Sequence, residues 1–347
     1  MTETRQTRDV ALVLAGGVAK GAFEAGALQV IAGSRANVCR IVASSSGALN
    51  ATVFGAALRQ GDARAGAERL AKLWSERATW SQIFDFSLSD VVALRAISTE
   101  RRVRELLREE ADAQLKGGRN PISLRLLVAV LDGVAGNIGD QPATTYESVM
   151  AFEGGDFDTA EGRERIFDAA LASSAFPFLF PPFELEVGGR TVHGLDGGVV
   201  NNTPVKLALR DENAVDSGLS TVLVVAPYPR VVTEPPAMSG VSLASDLVEI
   251  LIDERLYRDL REAEGTNQVI RGIDALASQG FTAAQLEQVR ALVLEERRRI
   301  VDIVAIRPAA KLHGTAFTGF FDADVRSQYL AAGREAATLA LTAAGLL

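Results

Sequence analysis

The sequence predicts an α/β fold built on a mixed, mostly parallel central sheet. Three observations carry that expectation. Short apolar runs rich in β-branched residues alternate with long helical stretches, the pattern of strand–helix–strand units that pair in parallel. Glycine or other small residues punctuate the passage from strand to helix, as at Ala15-Gly16-Gly17 and Ser45-Ser46-Gly47. Finally, Gly188-Gly189 separates two strand-like runs and reads as a hairpin turn, so at least one pair is antiparallel.

Taken in order, the first strand is expected near Ala11 to Leu14. It runs into Ala15-Gly16-Gly17-Val18-Ala19-Lys20-Gly21, a loop that frees backbone N–H groups at a helix N-terminus, where an anion is favoured. A phosphate and an oxyanion both fit that description. A nucleotide P-loop does not, because Lys20 precedes Gly21 and Ala22 follows it, and the dinucleotide pattern fails at Ala19. A plain helix cap is the alternative. Lys20 is either a solvated first-turn side chain or a group that attracts an anionic lipid head group.

The second strand, Arg40 to Ala43, leads into Ser44-Ser45-Ser46-Gly47 and a helix expected from Gly47 to about Arg59. This resembles the Gly-x-Ser-x-Gly elbow that exposes a nucleophile, with Gly47 in the last glycine position and Ala43 in the first. Only Ser45 lies two before Gly47 and two after the small Ala43, so Ser44 and Ser46 read as flanks. Further strands are expected near Ser123 to Leu131, Phe183 to His193, Thr221 to Ala226 and Ile300 to Arg307, and a terminal helix over Asp322 to Leu341. Helical elaborations are placed around 80–116 and 240–300 of a single domain spanning 1–347. Within them Val92 to Glu110 and Leu286 to Val304 read as amphipathic helices, suited to an ordinary solvated face or to a lipid surface. A movable cover is placed within Trp80 to Ile97.

Between the third and fourth strands lies Ala172-Ser173-Ser174-Ala175-Phe176-Pro177-Phe178-Leu179-Phe180-Pro181-Pro182-Phe183. Its prolines rule out a helix interior or a central strand, and its apolar side chains suit a buried connection or a pocket wall. Asp196-Gly197-Gly198 follows at the end of a short strand. Alone it reads as a turn.

These motifs, in this order, resemble a patatin-like phospholipase: the glycine loop Gly16 to Gly21, the elbow at Ser45, the Ser174 to Pro182 stretch and the Asp-Gly-Gly turn at Asp196. The resemblance implies a three-layer α/β/α sandwich, a Ser45/Asp196 dyad that needs no histidine, and hydrolysis of lipid acyl esters. Two positions depart from the family pattern. Val18 stands where a third glycine is usual, and valine resists positive φ, so its N–H is expected to donate from an ordinary backbone region. Ala43 replaces the first elbow glycine.

The chemistry follows from the residue types. Asp196 takes the Ser45 proton if the two are within hydrogen-bond reach, and partial desolvation by Phe176, Phe178 and Phe180 raises its basicity. N–H groups of Gly16, Gly17 and Val18 then hold the tetrahedral oxyanion, at roughly 3 kcal/mol per well-aimed donor. A histidine triad would require His313, which has no catalytic pattern around it, and His193 reads as a strand residue. Two other functions use the same residues: acyl transfer to an acceptor other than water, and lipid binding without catalysis.

Composition narrows the partners. A net charge of -8 argues against nucleic acid and gives no global attraction to anionic membranes. The single cysteine, Cys39, excludes an internal disulfide or a cysteine metal cluster, and no cofactor is called for. No secretory pattern opens the chain and no apolar run reaches spanning length, so the expected partner is a lipid or ester substrate met in the cytoplasm, with peripheral membrane contact as the alternative. Oligomeric state is left open.

Overall fold

The structure is a computed structural model of the 347-residue chain and describes residues 7–84, 100–138, 140–177, 179–209, 219–229, 240–294 and 300–347. Chain order is β1 (Arg8–Leu14), α1 (Gly21–Ile31), β2 (Ala36–Ser44), α2 (Ser46–Gln60), α3 (Ala63–Lys72), α4 (Trp80–Ile83), α5 (Arg101–Leu107), α6 (Ala113–Gly117), β3 (Ser123–Ile138), β4 (Gln141–Phe152), α7 (Ala160–Ser173), β5 (Phe183–Val187), β6 (Arg190–Asp196), α8 (Gly198–Asn201) and α9 (Val205–Leu209). It continues with β7 (Thr221–Val225), α10 (Gly240–Ala275), α11 (Ala283–Val293), β8 (Asp302–Ile306), α12 (Thr318–Phe321) and α13 (Ala323–Ala343).

β3, β2, β1, β7 and β8 run parallel to their neighbours, while β4, β5 and β6 are antiparallel additions. Alternation along β1 divides the core. Val10, Leu12 and Leu14 join Phe23, Leu28, Phe54 and Tyr329 from α1, α2 and α13 on one face; Ala11 and Val13 join Val205, Ala208 and Leu256 from α9 and α10 on the other. Because both faces are covered, the strands are continuously apolar, and Val10 to Leu14 are all fully buried. This is the three-layer α/β/α sandwich with a mixed, mostly parallel sheet.

The hairpin turn at Gly188-Gly189 is present, both residues at positive φ (59° and 78°), where glycine carries no Cβ penalty. Two elements differ from expectation. β4 was not foreseen, and β3 extends to Ile138 to pair with it. Its first eight residues, Gln-Pro-Ala-Thr-Thr-Tyr-Glu-Ser, are mostly polar and exposed on the outer side of β3, and only its end, Val149–Phe152, carries an apolar run. The helix expected over Leu286 to Val304 ends at Val293, and where that reading overlapped the strand expected near Ile300 to Arg307 the strand is present: Asp302–Ile306 is β8, whose β-branched residues pair with β7. Tertiary pairing outweighs helical spacing there. Residues 85–99 and 295–299, which include most of the proposed cover and parts of both amphipathic segments, lie outside the described residues.

Candidate active site

Sheet topology alone brings Ser45 to Asp196. On one edge of β3, β2 runs parallel and ends with Ser44 opposite Leu127. The other edge at Leu127 and Val128 is taken by Val149 and Ser148 of β4. β6 must therefore share the β2 edge, and it comes from the opposite direction, ending with Asp196 opposite Val128. The two strand ends meet head to head. Ser45 Oγ donates to Asp196 Oδ2 at 2.7 Å.

The turn that presents Ser45 is strained and well braced. Ser45 has φ 55° and ψ -133°, a region that costs a non-glycine residue about 1–3 kcal/mol. Its N–H donates to Ser173 Oγ at 3.0 Å. Gly47 allows close passage: a Cβ there would lie 2.6 Å from Leu14 O and 2.8 Å from Ala15 O. Ala43 is fully buried between its register partners Leu14 and Leu126.

Asp196 is 3% exposed, and its Oδ1 accepts from Gly198 N–H at 2.7 Å. Burial pushes its carboxyl from 3.8 up to about 7, against the opposing pull of the Ser45 and Gly198 donors. A base with that value is effective near neutrality. Neither histidine approaches this pair. His193 is exposed with Nδ1 3.1 Å from Asp132 Oδ2, and His313 is exposed with its carbonyl accepting from Tyr329 Oη. The direct Ser45–Asp196 contact leaves no room for an imidazole between them.

In the glycine loop, Gly16 N–H donates to Asn202 O and Gly17 N–H to Ser46 Oγ, each at 3.0 Å. The Gly16 carbonyl accepts from Asn202 Nδ2 and Tyr228 Oη, both at 2.8 Å. Gly16 has no space for a side chain, since a Cβ would lie 2.1 Å from Asn202 Oδ1 and 2.5 Å from Ser45 Cβ. Val18 does adopt positive φ (53°), contrary to the ordinary region expected for it, because the loop must turn into a 3-10 turn at Val18–Lys20. Its N–H makes no hydrogen bond among the described residues. Lys20 is 1% exposed with Nζ 5.8 Å from the Tyr228 ring centroid, so it is neither solvated nor on the pocket wall. Asn202, Ser46 and Tyr228 were not singled out from sequence; Asn202 lies within the Asp-Gly-Gly segment, whereas nothing marks Tyr228.

The sequence profile of the family described as Patatin-like phospholipase matches residues 12–209, more than half the chain. The protein belongs to the patatin-like phospholipase family. At the level of the family this makes it a lipid hydrolase. Among solved structures, the chain is similar to VipD from Legionella pneumophila, with a TM-score of 0.45 and 12% identity, over 99% of this chain and 72% of that one. No curated protein matches it.

The patatin-like site opens into a pocket of about 780 Å³, counting its mouth. Ser45, Asp196 and Val18 stand at its polar end. Phe176 and Phe180 line it as expected, while Phe178 lies outside the described residues. Apart from Ser46, Asn50 and Ser174 the remaining wall is apolar and includes residues of α2 (Leu49, Val53), the π-helical turn Leu73–Arg77 (Trp74), α5 (Val103, Leu107) and α12 (Phe320). No basic side chain lines the pocket among the described residues. In the wall the buried Phe84 packs against Trp80, Phe180 and Phe320 with centroids 4.4, 5.6 and 5.4 Å apart. Behind the wall, Trp74 Nε1 donates to Asn50 Oδ1 at 2.8 Å, and Asn50 Nδ2 to Glu24 Oε2 at 2.7 Å; burial pushes the Glu24 carboxyl well above its ordinary value. Of the basic residues on and just after α5, Arg104 meets Glu164 and Asp168 on α7 and Arg108 meets Glu164, while Arg101 is exposed beside Glu105 of its own helix. No described helix is long and apolar enough to cross a membrane.

Proposed function

We propose that the protein hydrolyses carboxylic esters of lipids through a Ser45/Asp196 dyad and an acyl-enzyme. The observation that carries this reading is the 2.7 Å hydrogen bond from Ser45 Oγ to a buried carboxylate at the polar end of an apolar pocket. Asp196 Oδ2 takes the Ser45 proton as Oγ attacks the ester carbonyl, and the resulting oxyanion is held by the glycine loop, where Val18 lines the pocket and its N–H has no acceptor among the described residues. As the tetrahedral intermediate collapses, Asp196 returns the proton to the departing alcohol. It then draws a proton from water, whose attack on the acyl-Ser45 ester releases the fatty acid and restores the enzyme. The acyl chain lies along the apolar wall, where each buried methylene contributes about 0.8 kcal/mol. With no basic side chain on the described wall, recognition rests on the chain and the ester rather than on an anionic head group. Peripheral contact with a lipid surface fits the exposed Phe321 ring, next in sequence to the pocket residue Phe320 and stacked on Trp80 with centroids 4.7 Å apart.

The test is turnover of a fatty acyl p-nitrophenyl ester with intact-mass detection of the acyl-enzyme. Wild type should carry one acyl group on Ser45 during turnover, and both Ser45→Ala and Asp196→Asn should lose at least about 1000-fold in kcat. An acyl group on another residue, or retained turnover in Asp196→Asn, would reject the dyad.

A further inference from the structure

Of the three loop N–H groups that the sequence nominates for the oxyanion, two already have acceptors within the protein. Gly16 N–H donates to Asn202 O, and Gly17 N–H donates to Ser46 Oγ. The Gly16–Gly17 peptide is also held against rotation. Its carbonyl accepts from both Asn202 Nδ2 and Tyr228 Oη, and in a planar trans peptide the following N–H points to the opposite side. Pinning Gly16 O therefore aims Gly17 N–H at Ser46.

Ser46 is placed to pass that donor on. It is the first residue of α2, immediately after the nucleophile, and it lines the pocket with Val18, Ser45 and Asp196, whereas Gly16 and Gly17 do not. Its oxygen accepts from Gly17 N–H, and its own proton has no acceptor among the described residues. A hydroxyl that receives a hydrogen bond becomes a stronger donor through its remaining O–H.

We infer that Ser46 is a catalytic residue whose Oγ–H relays the Gly17 N–H dipole to the oxyanion, completing with Val18 N–H a hole of two donors. This rests on the Ser45/Asp196 reading. When Ser45 Oγ bonds to the ester carbon, the carbonyl π pair moves onto oxygen and Ser46 O–H donates to it. When the carbonyl re-forms, the contact weakens. Ser46 keeps its proton throughout, and no atom passes through it. The opposing arrangement has Ser46 capping Gly17 N–H, so that the hydroxyl must move aside before the amide can reach the oxyanion. The two differ in sign.

The experiment compares full-length wild type, Ser46→Ala and Ser46→Cys in hydrolysis of a p-nitrophenyl ester and in the rate of Ser45 modification by a fluorophosphonate. Relay predicts that Ser46→Ala lowers kcat about 100-fold with KM changed less than about twofold and the melting temperature retained. Ser46→Cys, which keeps the size and offers a weaker S–H donor, should fall between the two. Unchanged or increased kcat in Ser46→Ala, with Ser45 still modified at the wild-type rate, overturns the relay and leaves the dyad standing. Absence of modification at Ser45 in wild type overturns the dyad and the relay together.

Discussion

Ser45 and Val18 are the two non-glycine residues at positive φ among those described, and both stand at the polar end of the same pocket. Strain of this kind persists only where surrounding contacts over-determine it, here Ser173, Gly47 and the pinned Gly16 carbonyl. Asp196 stores a different cost. Its carboxyl is at about 7 in the fold against 3.8 ordinarily, so the folded state prefers the neutral form more strongly than the unfolded chain does. Stability tied to that preference is fully present below about pH 4 and is lost as pH rises through about 7. Asp196→Asn escapes the loss: its melting temperature should exceed that of wild type by a margin that grows between those limits and then stays level, measurable by thermal melts across pH. Activity has the opposite slope, since the base must be ionised; kcat/KM should rise tenfold per pH unit below about 7 and flatten above. The turn at Ser45 was legible because small residues must surround a sharp turn, whereas Asp-Gly-Gly reads alone as a turn and Asp196 stood out only through the order of motifs that resembles the family. Ser46 and Tyr228 were not, since hydrogen bonding across the fold, and no local pattern, determines what they touch.

At the scale of elements, the contact between α1 and α13 is set by two glycines. A Cβ on Gly26 would lie 2.0 Å from Leu330 O, and one on Gly333 would lie 1.9 Å from Phe23 O. α1 begins where the glycine loop ends, so this contact holds the loop's trailing helix against the terminal helix. Gly333→Ala should destabilise the protein by about 2–3 kcal/mol, read as a lower denaturant midpoint at unchanged m-value. The parallel strands were legible because burial on both faces demands apolar runs. β8 was legible from its β-branched residues, whereas β4 is mostly polar and exposed over its first half, so only its short Val149–Phe152 end is apolar and it was not read as a strand.

For the whole molecule, the sheet brings Ser45 and Asp196 together while helices on one face supply the pocket wall. α2, the π-helical turn, α5 and α12 come from distant parts of the chain, which is why the Ser174 to Pro182 stretch was recognisable as wall material and Trp74, Leu107 and Phe320 were not. Leu106 lines this pocket from α5 while remaining partly exposed, so a larger side chain there should shorten the space without disturbing the core. Leu106→Trp should lose roughly tenfold in kcat/KM on long-chain esters and little on short ones, measured over a p-nitrophenyl ester series.

All of this depends on Asp196 activating Ser45 directly. The sharpest measurement is the pH dependence of Ser45 modification by a fluorophosphonate, with the modified residue mapped by mass spectrometry. Wild type should react at Ser45 alone, with a rate that rises through about pH 7, and Asp196→Asn should react at least about 1000-fold more slowly with that titration gone. Modification at Ser45 that proceeds equally fast in Asp196→Asn, or that keeps the same titration, would contradict the dyad.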